Sequence, residues 1–429
     1  MTRSTRRDFL KAAVCVSGAL LAGPRCHAAE SFEVGRPYAG WGTGEMDIHV
    51  IYTGRGESLF HIFPDGTSML IDAGDWKLKN GGPMPNLPDT SRLAGEWVAR
   101  YIERVNPFAK HVDYMMLSHY HPDHGGQARD GVEMTAGRGE DYALTGLAQV
   151  GELLTFDTVF DRGYPDYETP VPVVKNKTAE NFRRYAAWAM KEKGLSMEKF
   201  EPGRLDQIAL RHDASYDFHI RNLTANGIFW TGVGEETHNL FPDWKEEVPK
   251  ENPLSLSLTI QYGAFRYYTG GDLDTASHYE DGTVVPIEAA AGAAAGPVDV
   301  CKANHHVSNN ASTDEFVRAV QARAYLSTVW VDSQPGLEAA ARLLSRESYA
   351  GRRKLYPTLV SRMRRDTIAE QPWKDDVALD GGHIVLKVFD SGRQYKIYYL
   401  TAEDESMRVK AVYGPFASTG TARYEARKA

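Results

Sequence analysis

Four side chains able to bind metal lie within six residues of one another in residues 117–127, which read LSHYHPDHGGQ. The histidines are His119, His121 and His124, and Asp123 stands between the second and the third. Such side chains are poor core material and costly to bury without partners. On a loop, His119 and His121 can turn two imidazoles to one ion, while Asp123 and His124 face a second. Mixed nitrogen and oxygen ligands suit zinc, and also manganese or iron.

The elements before this cluster should hold it at the end of a buried strand. Residues 112–117 form a short, bounded apolar run, which is typical of an interior strand. Upstream, apolar side chains recur at helical spacing over residues 91–105 and alternate with polar ones over residues 46–50. The histidine cluster therefore follows a strand directly, in the kind of loop that often carries catalytic residues.

The remainder of the chain predicts further strands with helices between them, and so a sandwich of two sheets with outer helices. Strands are predicted for residues 216–230, 254–274, 298–306 and 324–330, and for a closing hairpin of residues 383–389 with 394–400. A helix is predicted for residues 178–194, with Thr178 as its N-cap and Gly194 as its end. Ser312 and Glu315 fit the capping box of another helix. The segment AAAGAAAG, residues 289–296, is predicted to be a low-complexity linker.

The segment SHYHPDHGG resembles the H-x-H-x-D-H motif of the metallo-β-lactamase superfamily. This resemblance implies an α/β (α+β) fold, an αββα sandwich of two mixed β-sheets flanked by helices, which usually binds two divalent metal ions between its sheets. Motifs in the family's order extend over residues 46–330. They imply a single domain over residues 29–429, with an insertion at about 127–215 and a C-terminal β-hairpin extension at about 380–429.

The same resemblance implies the remaining ligands. Asp272 in YYTGGDLD matches the aspartate that bridges both ions, and Asp72 in MLIDAGD matches an aspartate that orients a ligand histidine from outside the metal shell. In CKANHHVS, one of His305 and His306 is expected to bind metal and the other to contact substrate or support a ligand. The implied metal ligands are therefore His119, His121, Asp123, His124, Asp272, His305 and His306.

The double histidine is similar to one branch of the superfamily. This branch contains the extracytoplasmic domain of DNA-uptake channel proteins and the phosphorylcholine esterases, and glycine commonly follows its double histidine, where this chain has Val307. Many superfamily members also carry a histidine upstream of the bridging aspartate, where this chain reads KENPLS. Glu251, Asn252 or a water molecule would then complete a weaker first metal site, and His238 further upstream is an alternative. Tyr120 is expected either to contact substrate or metal weakly or to pack in the interior.

Residues 1–28 have the layout of a removable export signal, with a basic start, a modest apolar stretch and small residues before the cleavage site. The segment TRRDFLK, residues 5–11, resembles the twin-arginine signal, whose machinery exports folded proteins. We therefore expect the twin-arginine machinery as a partner and a periplasmic or secreted mature protein. No later apolar run is long enough to predict a stable membrane anchor.

Charge and cysteine content restrict the function further. The formal net charge is −8, and removal of residues 1–28 takes away five basic residues and one acidic one, which leaves −12. This acidic balance disfavours strong nucleic-acid binding. Of three cysteines only Cys301 would remain after cleavage, so an intramolecular disulfide is excluded.

The resemblance implies an exported metal-dependent hydrolase that uses a metal-activated water, with Asp123 and Asp272 as catalytic residues. A small-molecule phosphoester or phosphodiester is the favoured substrate class. Lactone or β-lactam hydrolysis at the same site is an alternative, and so is a non-catalytic metal-binding or sensory protein.

Overall fold

Two mixed β-sheets packed face to face, with helices outside them, form the fold. The computed structural model describes residues 33–76, 86–128, 135–139, 141–242, 250–279 and 281–428. The signal peptide predicted for residues 1–28 lies outside these ranges. Over the described residues the coarse prediction, a sandwich of two mixed sheets with helices, is confirmed.

Most of the described strands are short. In chain order they are β1 Met46–Val50, β2 Leu59–Ile62, β3 Ser68–Ile71, β4 His111–Met116, β5 Thr155–Asp161, β6 Ser196–Lys199, β7 Phe218–Ala225, β8 Ile228–Trp230, β9 Thr237–Asn239, β10 Ser257–Tyr262, β11 Phe265–Thr269, β12 Val300–Lys302, β13 Ala324–Ser327, β14 Lys354–Pro357, β15 His383–Phe389, β16 Gln394–Leu400 and β17 Val409–Ala417.

The helices connect parallel strands or cover the sheets. They are α1 Ala94–Val105, α2 Pro122–Gly125, α3 Gly146–Leu153, α4 Lys177–Glu192, α5 Ile287–Ala295, α6 Asp314–Val320, α7 Leu337–Leu344, α8 Arg362–Ala369 and α9 Gly420–Lys428, with single 3₁₀ turns at Asn252–Leu254, Asn304–Val307 and Lys374–Asp376. Among the described residues, no helix has the length and apolar character needed to cross a membrane.

Each sheet is antiparallel in one half and parallel in the other. In the described parts of the chain, the first sheet has the order β17–β16–β15–β1–β2–β3–β4–β5–β6 and the second β14–β13–β12–β11–β10–β7–β8–β9. Neighbouring strands are parallel within two runs, β3–β4–β5–β6 and β11–β12–β13–β14. Helical crossovers therefore connect the strands of each run. Parallel strands end at a common edge of their sheet. The loops after β3, β4, β11 and β12 lie at such edges, and these loops carry the predicted ligands.

Apolar side chains explain how the layers pack. Met46 and Ile48 of β1 lie in the same buried cluster as Ile260 of β10 and Tyr267 of β11, so the main core lies between the two sheets. On the outer face of the first sheet, Val98 packs with residues of α3, α4, β4 and β5 in a second cluster. Both faces of β4 are therefore covered, which fixes the strand that precedes the histidine cluster.

The predicted linker at residues 289–296 is instead part of α5, so that prediction is wrong. Alanine has the highest helix propensity, and Ala291, Ala294 and Ala295 are buried, which stabilises the helix further. Two predicted caps are also displaced by one or two residues. Asn176, rather than Thr178, caps α4 by accepting from the amide of Ala179.

The second displaced cap is at α6, where Thr313 rather than Ser312 accepts the amide of Phe316. The predicted closing hairpin is confirmed, because β15 and β16 pair in antiparallel register. β15 also pairs with β1, and therefore the C-terminal strands continue the first sheet. Residues 127–215, predicted as an insertion, contribute β5 and β6 to the same sheet.

His383 makes the stability of this fold sensitive to acid. Its Nδ1 accepts the amide proton of Tyr52 at 2.9 Å, and Tyr101 packs on its ring at a centroid distance of 4.7 Å. Burial is the main cause that lowers the pKa of His383 to about 3; Glu403 raises it slightly and Lys410 lowers it. An ordinary histidine pKa is about 6.5.

We expect the free energy of unfolding to fall as the pH drops from 7 to 5, because the unfolded chain then binds a proton that folded His383 does not. This residue alone accounts for about 2 kcal/mol over that interval. Urea unfolding at a series of pH values should therefore show a flatter profile for His383→Gln than for the wild type. The exposed His238→Gln serves as the control, and equal slopes for all three proteins would contradict the prediction.

Candidate metal centre

The histidine loop is held against the loops around β2 and β3 by backbone contacts. The amide of Glu57 donates to the carbonyl of Asp123 at 2.8 Å, and the amide of Ala73 donates to that of His124 at 2.8 Å. A Cβ added at Gly56 or Gly74 would lie 2.1 Å from the Asp123 carbonyl oxygen. Both positions therefore require glycine for this close approach.

Asp72 orients His124 from outside the cluster, as the resemblance implies. Its Oδ2 lies 2.7 Å from Nδ1 of His124 and accepts the Ser118 hydroxyl at 2.6 Å, while its Oδ1 accepts the Ser118 amide at 2.8 Å. A carboxylate at Nδ1 fixes the tautomer of the ring and leaves Nε2 as the free ligand atom. Asp72 is fully buried, so it contacts this ring and not solvent.

Asp272 lies at the centre of the cluster. Its Oδ2 is 3.1 Å from Nε2 of His124, 3.2 Å from Nε2 of His306, 3.9 Å from Nε2 of His305 and 4.0 Å from Nε2 of His119. Loops from both sheets thus meet at one carboxylate, which lies in the loop after β11.

The other predicted ligands surround this carboxylate. Asp123 Oδ2 lies 3.3 Å from Nε2 of His306 and 3.8 Å from Nε2 of His124. The ring of His121 lies beside that of His119, with centroids 4.8 Å apart, and is partly exposed. The structure therefore brings every predicted metal ligand to one place, with His121 towards the solvent side.

Several buried atoms of this cluster have no hydrogen-bond partner among the described residues. They are Nε2 of His119, His124 and His306, and Oδ1 of Asp123 and Asp272. Buried polar atoms are nearly always paired, so a convergent set of unpaired ones indicates a bound group that satisfies them. The donor set, three imidazole nitrogens and two carboxylate oxygens, fits a divalent metal ion.

Electrostatics also favour a cation here. Burial lowers the pKa of His119 well below its usual value, with help from His124 and His121, which keeps this imidazole neutral and able to bind metal. Burial opposes protonation of His306 as well, but Asp272 and Asp123 raise its pKa to about 9. The carboxylates thus draw positive charge into the cluster, and a bound cation would replace such protons.

The double histidine forms a left-handed turn. His305, His306 and Val307 have φ values of 45°, 53° and 63°, a region that residues other than glycine rarely adopt. As a result the two rings diverge. His306 is buried, with Nε2 towards Asp123 and Asp272, whereas the His305 side chain is 22% exposed and its Nδ1 lies 3.2 Å from Asp274 Oδ2. This geometry favours His306 as the metal ligand and His305 as a group at the entrance.

The structure adds a buried chain of polar residues that the sequence did not indicate. Nδ1 of His306 lies 2.7 Å from the hydroxyl of Thr328, which donates to Glu57 Oε2 at 2.8 Å. The same Oε2 lies 2.6 Å from Nζ of Lys302, whose ammonium also donates to the Gly271 carbonyl at 2.7 Å. Glu57 and Lys302 are fully buried.

Glu57, His124, Asp272 and His306 offer ligand atoms within 4.8 Å of one another, so this buried group could hold a metal ion. Oε2 of Glu57 is already bound by Thr328 and Lys302, whereas its buried Oε1 has no hydrogen-bond partner among the described residues. Glu57 can therefore support His306 through Oε2 and still offer Oε1 to an ion. Burial lowers the pKa of Lys302, but Glu57 and Asp272 raise it by more, so the side chain is an ammonium.

We expect Thr328→Val to lower metal affinity by about 10- to 100-fold, because outer partners of a metal-binding histidine have effects of this size. Valine preserves the shape of threonine but cannot accept the His306 N–H. Competition with a chromogenic chelator would measure the affinity. Thr328→Ser retains the hydroxyl and should bind metal as the wild type does; equal affinity in Thr328→Val would contradict the role of this chain.

Tyr120 and Glu251, predicted as weak contacts to metal or substrate, have other partners. Both oxygens of Glu251 pair with Arg162, at 2.6 Å to Nε and 2.7 Å to a terminal nitrogen, and Oε1 also accepts the Tyr120 amide at 2.9 Å. Tyr120 is only 1% exposed, and Arg162 covers its ring at 4.9 Å. These contacts therefore position the histidine loop.

Asn252 is the member of this predicted set that stays close to the ligands. Its Nδ2 donates to Asp274 Oδ2 at 2.9 Å and lies 3.3 Å from Nε2 of His305, whereas its buried Oδ1 has no partner among the described residues. An unpaired oxygen that could bind metal is therefore available beside His305.

Comparison with known proteins adds little to this geometry. No model of a known protein family matches the chain, and no curated protein matches it. A solved structure of a protein of unknown function from Enterococcus faecalis V583 matches with 10% identity and a TM-score of 0.29, over 74% of this chain and 71% of that one. A similarity this low supports no argument about fold or function, so any functional assignment depends on the buried cluster itself.

Proposed function

We propose that this chain is a metal-dependent hydrolase of the metallo-β-lactamase superfamily, exported by the twin-arginine route, and that phosphoesters, phosphodiesters among them, are its substrates. The observation that carries the proposal is the set of unpaired buried nitrogen and oxygen atoms around Asp272. His121 and His305 at the partly exposed side leave an open approach, which a closed structural site lacks.

We assign two divalent ions to the cluster, with zinc as the first choice and manganese or iron as alternatives. His119, His121 and Asn252 would hold one, and Asp123, His124 and His306 the other, with Asp272 close to both groups. Bound there, the ions would supply an acidified water and positive charge that stabilises the negative charge of the transition state.

The chain's own residues then have distinct tasks. Asp72 holds His124 in one tautomer through Nδ1, and Thr328 does the same for His306. Asp123 would accept the proton of the attacking water with the carboxylate oxygen that does not hold the ion. His305, at the entrance, donates a proton or a hydrogen bond to the leaving group.

Bound cations, and not the protein's own charges, would attract an anionic substrate. Asp72, Asp123, Asp272, Asp274 and Glu57 provide five buried carboxylates against the single ammonium of Lys302. Two divalent ions would balance this group of charges, and one ion would leave it negative. An anionic phosphoester is therefore repelled least by the doubly loaded site. The resemblance of the double histidine to the phosphorylcholine esterase branch also supports this class.

The test is metal analysis of the mature chain combined with turnover of bis(p-nitrophenyl) phosphate, with and without a chelator. We expect at least two ions per chain and turnover that the chelator abolishes and added zinc or manganese restores. Parallel assays with a lactone and a chromogenic β-lactam separate the alternative hydrolases. Bound metal without turnover of any of these substrates would contradict the enzyme and favour a binding or sensory protein.

A further inference from the structure

A second group of metal-ligand side chains lies at the other end of β4, away from the cluster around Asp272. Nε2 of His111 is 3.3 Å from Asp157 Oδ2 and 4.0 Å from Asp113 Oδ1, and Nε2 of His212 is 3.8 Å from the same Asp113 oxygen. His111, Asp113 and Asp157 offer ligand atoms that all lie within 4.8 Å of one another. Two imidazoles and two carboxylates thus converge from three separate segments.

Strand geometry builds three of these positions. His111 and Asp113 are two residues apart on β4, so their side chains point to the same face. β5 runs parallel to β4, with Val112 opposite Phe156 and Tyr114 opposite Thr158, which places Asp157 beside Asp113. The N-terminal parts of both strands therefore place their ligand atoms close together.

Asp113 is held so that one oxygen faces the histidines. Its Oδ2 accepts the amide and hydroxyl of Ser68 at 2.8 and 3.1 Å, and the side chain is almost completely buried. This leaves Oδ1 as the atom directed to His111 and His212. A buried carboxylate with one fixed and one outward oxygen is suited to bind a cation from the surface.

The fourth side chain comes from the loop before β7. Asp65 Oδ2 accepts the amides of His212 and Asp213 at 2.8 and 3.0 Å, and the His212 ring packs on Phe108 at a centroid distance of 4.4 Å. The backbone and ring of His212 are thus both restrained before any ion binds. Side chains of His111 and Asp157 are 41% and 53% exposed, which gives an ion access from solvent.

We propose that His111, Asp113, Asp157 and His212 form a second binding site, for a first-row divalent cation such as zinc, which joins β4, β5 and the loop at residue 212. Neighbouring ligand atoms of tetrahedral zinc lie about 3.3 Å apart, since each is about 2.0 Å from the ion. The closest contact in this group matches that value, and the two contacts to Asp113 exceed it by under about 1 Å. His212 lies outside the set of atoms within 4.8 Å of one another, so its ring must move further when an ion binds. The ion would stabilise the fold and take no part in hydrolysis.

The probe is zinc alone, added to the full mature chain and followed by dialysis and elemental analysis. We expect His111→Asn/His212→Asn to hold one zinc ion fewer per chain than the wild type. The matched control His238→Asn/His278→Asn changes two exposed histidines elsewhere and should hold the wild-type number. If the first double variant retains as many ions as the control, the second site is refuted.

Two further measurements separate this site from the proposed hydrolytic centre. Phosphodiester turnover should be unchanged in His111→Asn/His212→Asn, because the six residues of β4 keep the two sites roughly 20 Å apart. Asp157→Asn alters one exposed ligand and should weaken zinc in a competition titration even if the double variant does not fold. Unaltered zinc affinity in Asp157→Asn would overturn the assignment, whatever the outcome at Asp272.

Discussion

Asp272→Asn is expected to reduce phosphodiester turnover by about 100- to 1,000-fold, the usual effect of removing one group that stabilises a transition state electrostatically. The substitution also removes the negative charge that lies within 4.0 Å of four histidine nitrogens. Metal content should therefore fall together with activity. Elemental analysis and initial rates on bis(p-nitrophenyl) phosphate measure both effects on the same sample.

Asparagine has nearly the same shape as aspartate, so the fold should be retained, and circular dichroism can verify this. Asp366→Asn is the matched control, since it removes one carboxylate from an exposed position on α8. That variant should keep wild-type metal content and activity. If Asp272→Asn hydrolyses the substrate at the wild-type rate, the reaction does not depend on this cluster and the proposed mechanism is wrong.

Lys302→Met is expected to lower the free energy of unfolding by about 3–5 kcal/mol, because it leaves a buried charge without its counter-ion. Glu57 and Lys302 are both fully buried and lie 2.6 Å apart, while Asp272 Oδ1 is 3.8 Å from the same ammonium. Unfolding by urea, after removal of metal with a chelator, measures the effect without a contribution from bound ions.

A double-mutant cycle identifies the cause. Glu57→Gln/Lys302→Met removes both charges, so it should be more stable than Lys302→Met alone. Lys191→Met removes an ammonium from the 82% exposed side chain on α4 and should change stability by less than about 0.5 kcal/mol. A Lys302→Met protein as stable as this surface control would show that Lys302 is not a buried counter-ion of Glu57.

The proposed ligands could be found from the sequence because they lie in motifs. His119, His121, Asp123 and His124 are close in the chain and directly follow an apolar strand, whereas Asp272, His305 and His306 were implied by the resemblance of their segments to a known family. Thr328, Glu57 and Lys302 could not be found in this way. Glu57 and Thr328 are 271 residues apart, and neither lies in a motif, so only the packing of the two sheets brings them together.

The same distinction applies to the fold. Alternating and apolar runs predicted many of the strands but not β6, β9, β14 or β17. The strand order depends on contacts between distant segments, as in the pairing of β1 with β15. The helix at residues 287–295 was missed because composition alone suggested a linker, although burial of its alanines stabilises it. Asn176 and Thr313 show that capping residues within a cluster of polar residues are chosen by three-dimensional contacts.

The left-handed turn at residues 305–307 bears on when the metal site acquires its shape. Such backbone conformations cost on the order of 1–3 kcal/mol each unless surrounding contacts enforce them. Here Ser308 N, Ser327 Oγ and Gly336 N donate to the three successive carbonyls, and Val307 is fully buried. The free energy needed for this backbone conformation is therefore supplied during folding. As a result, the His306 ring is preorganised before an ion binds. Little ordering entropy is then lost on binding, so the full affinity of the ligands is available to the metal.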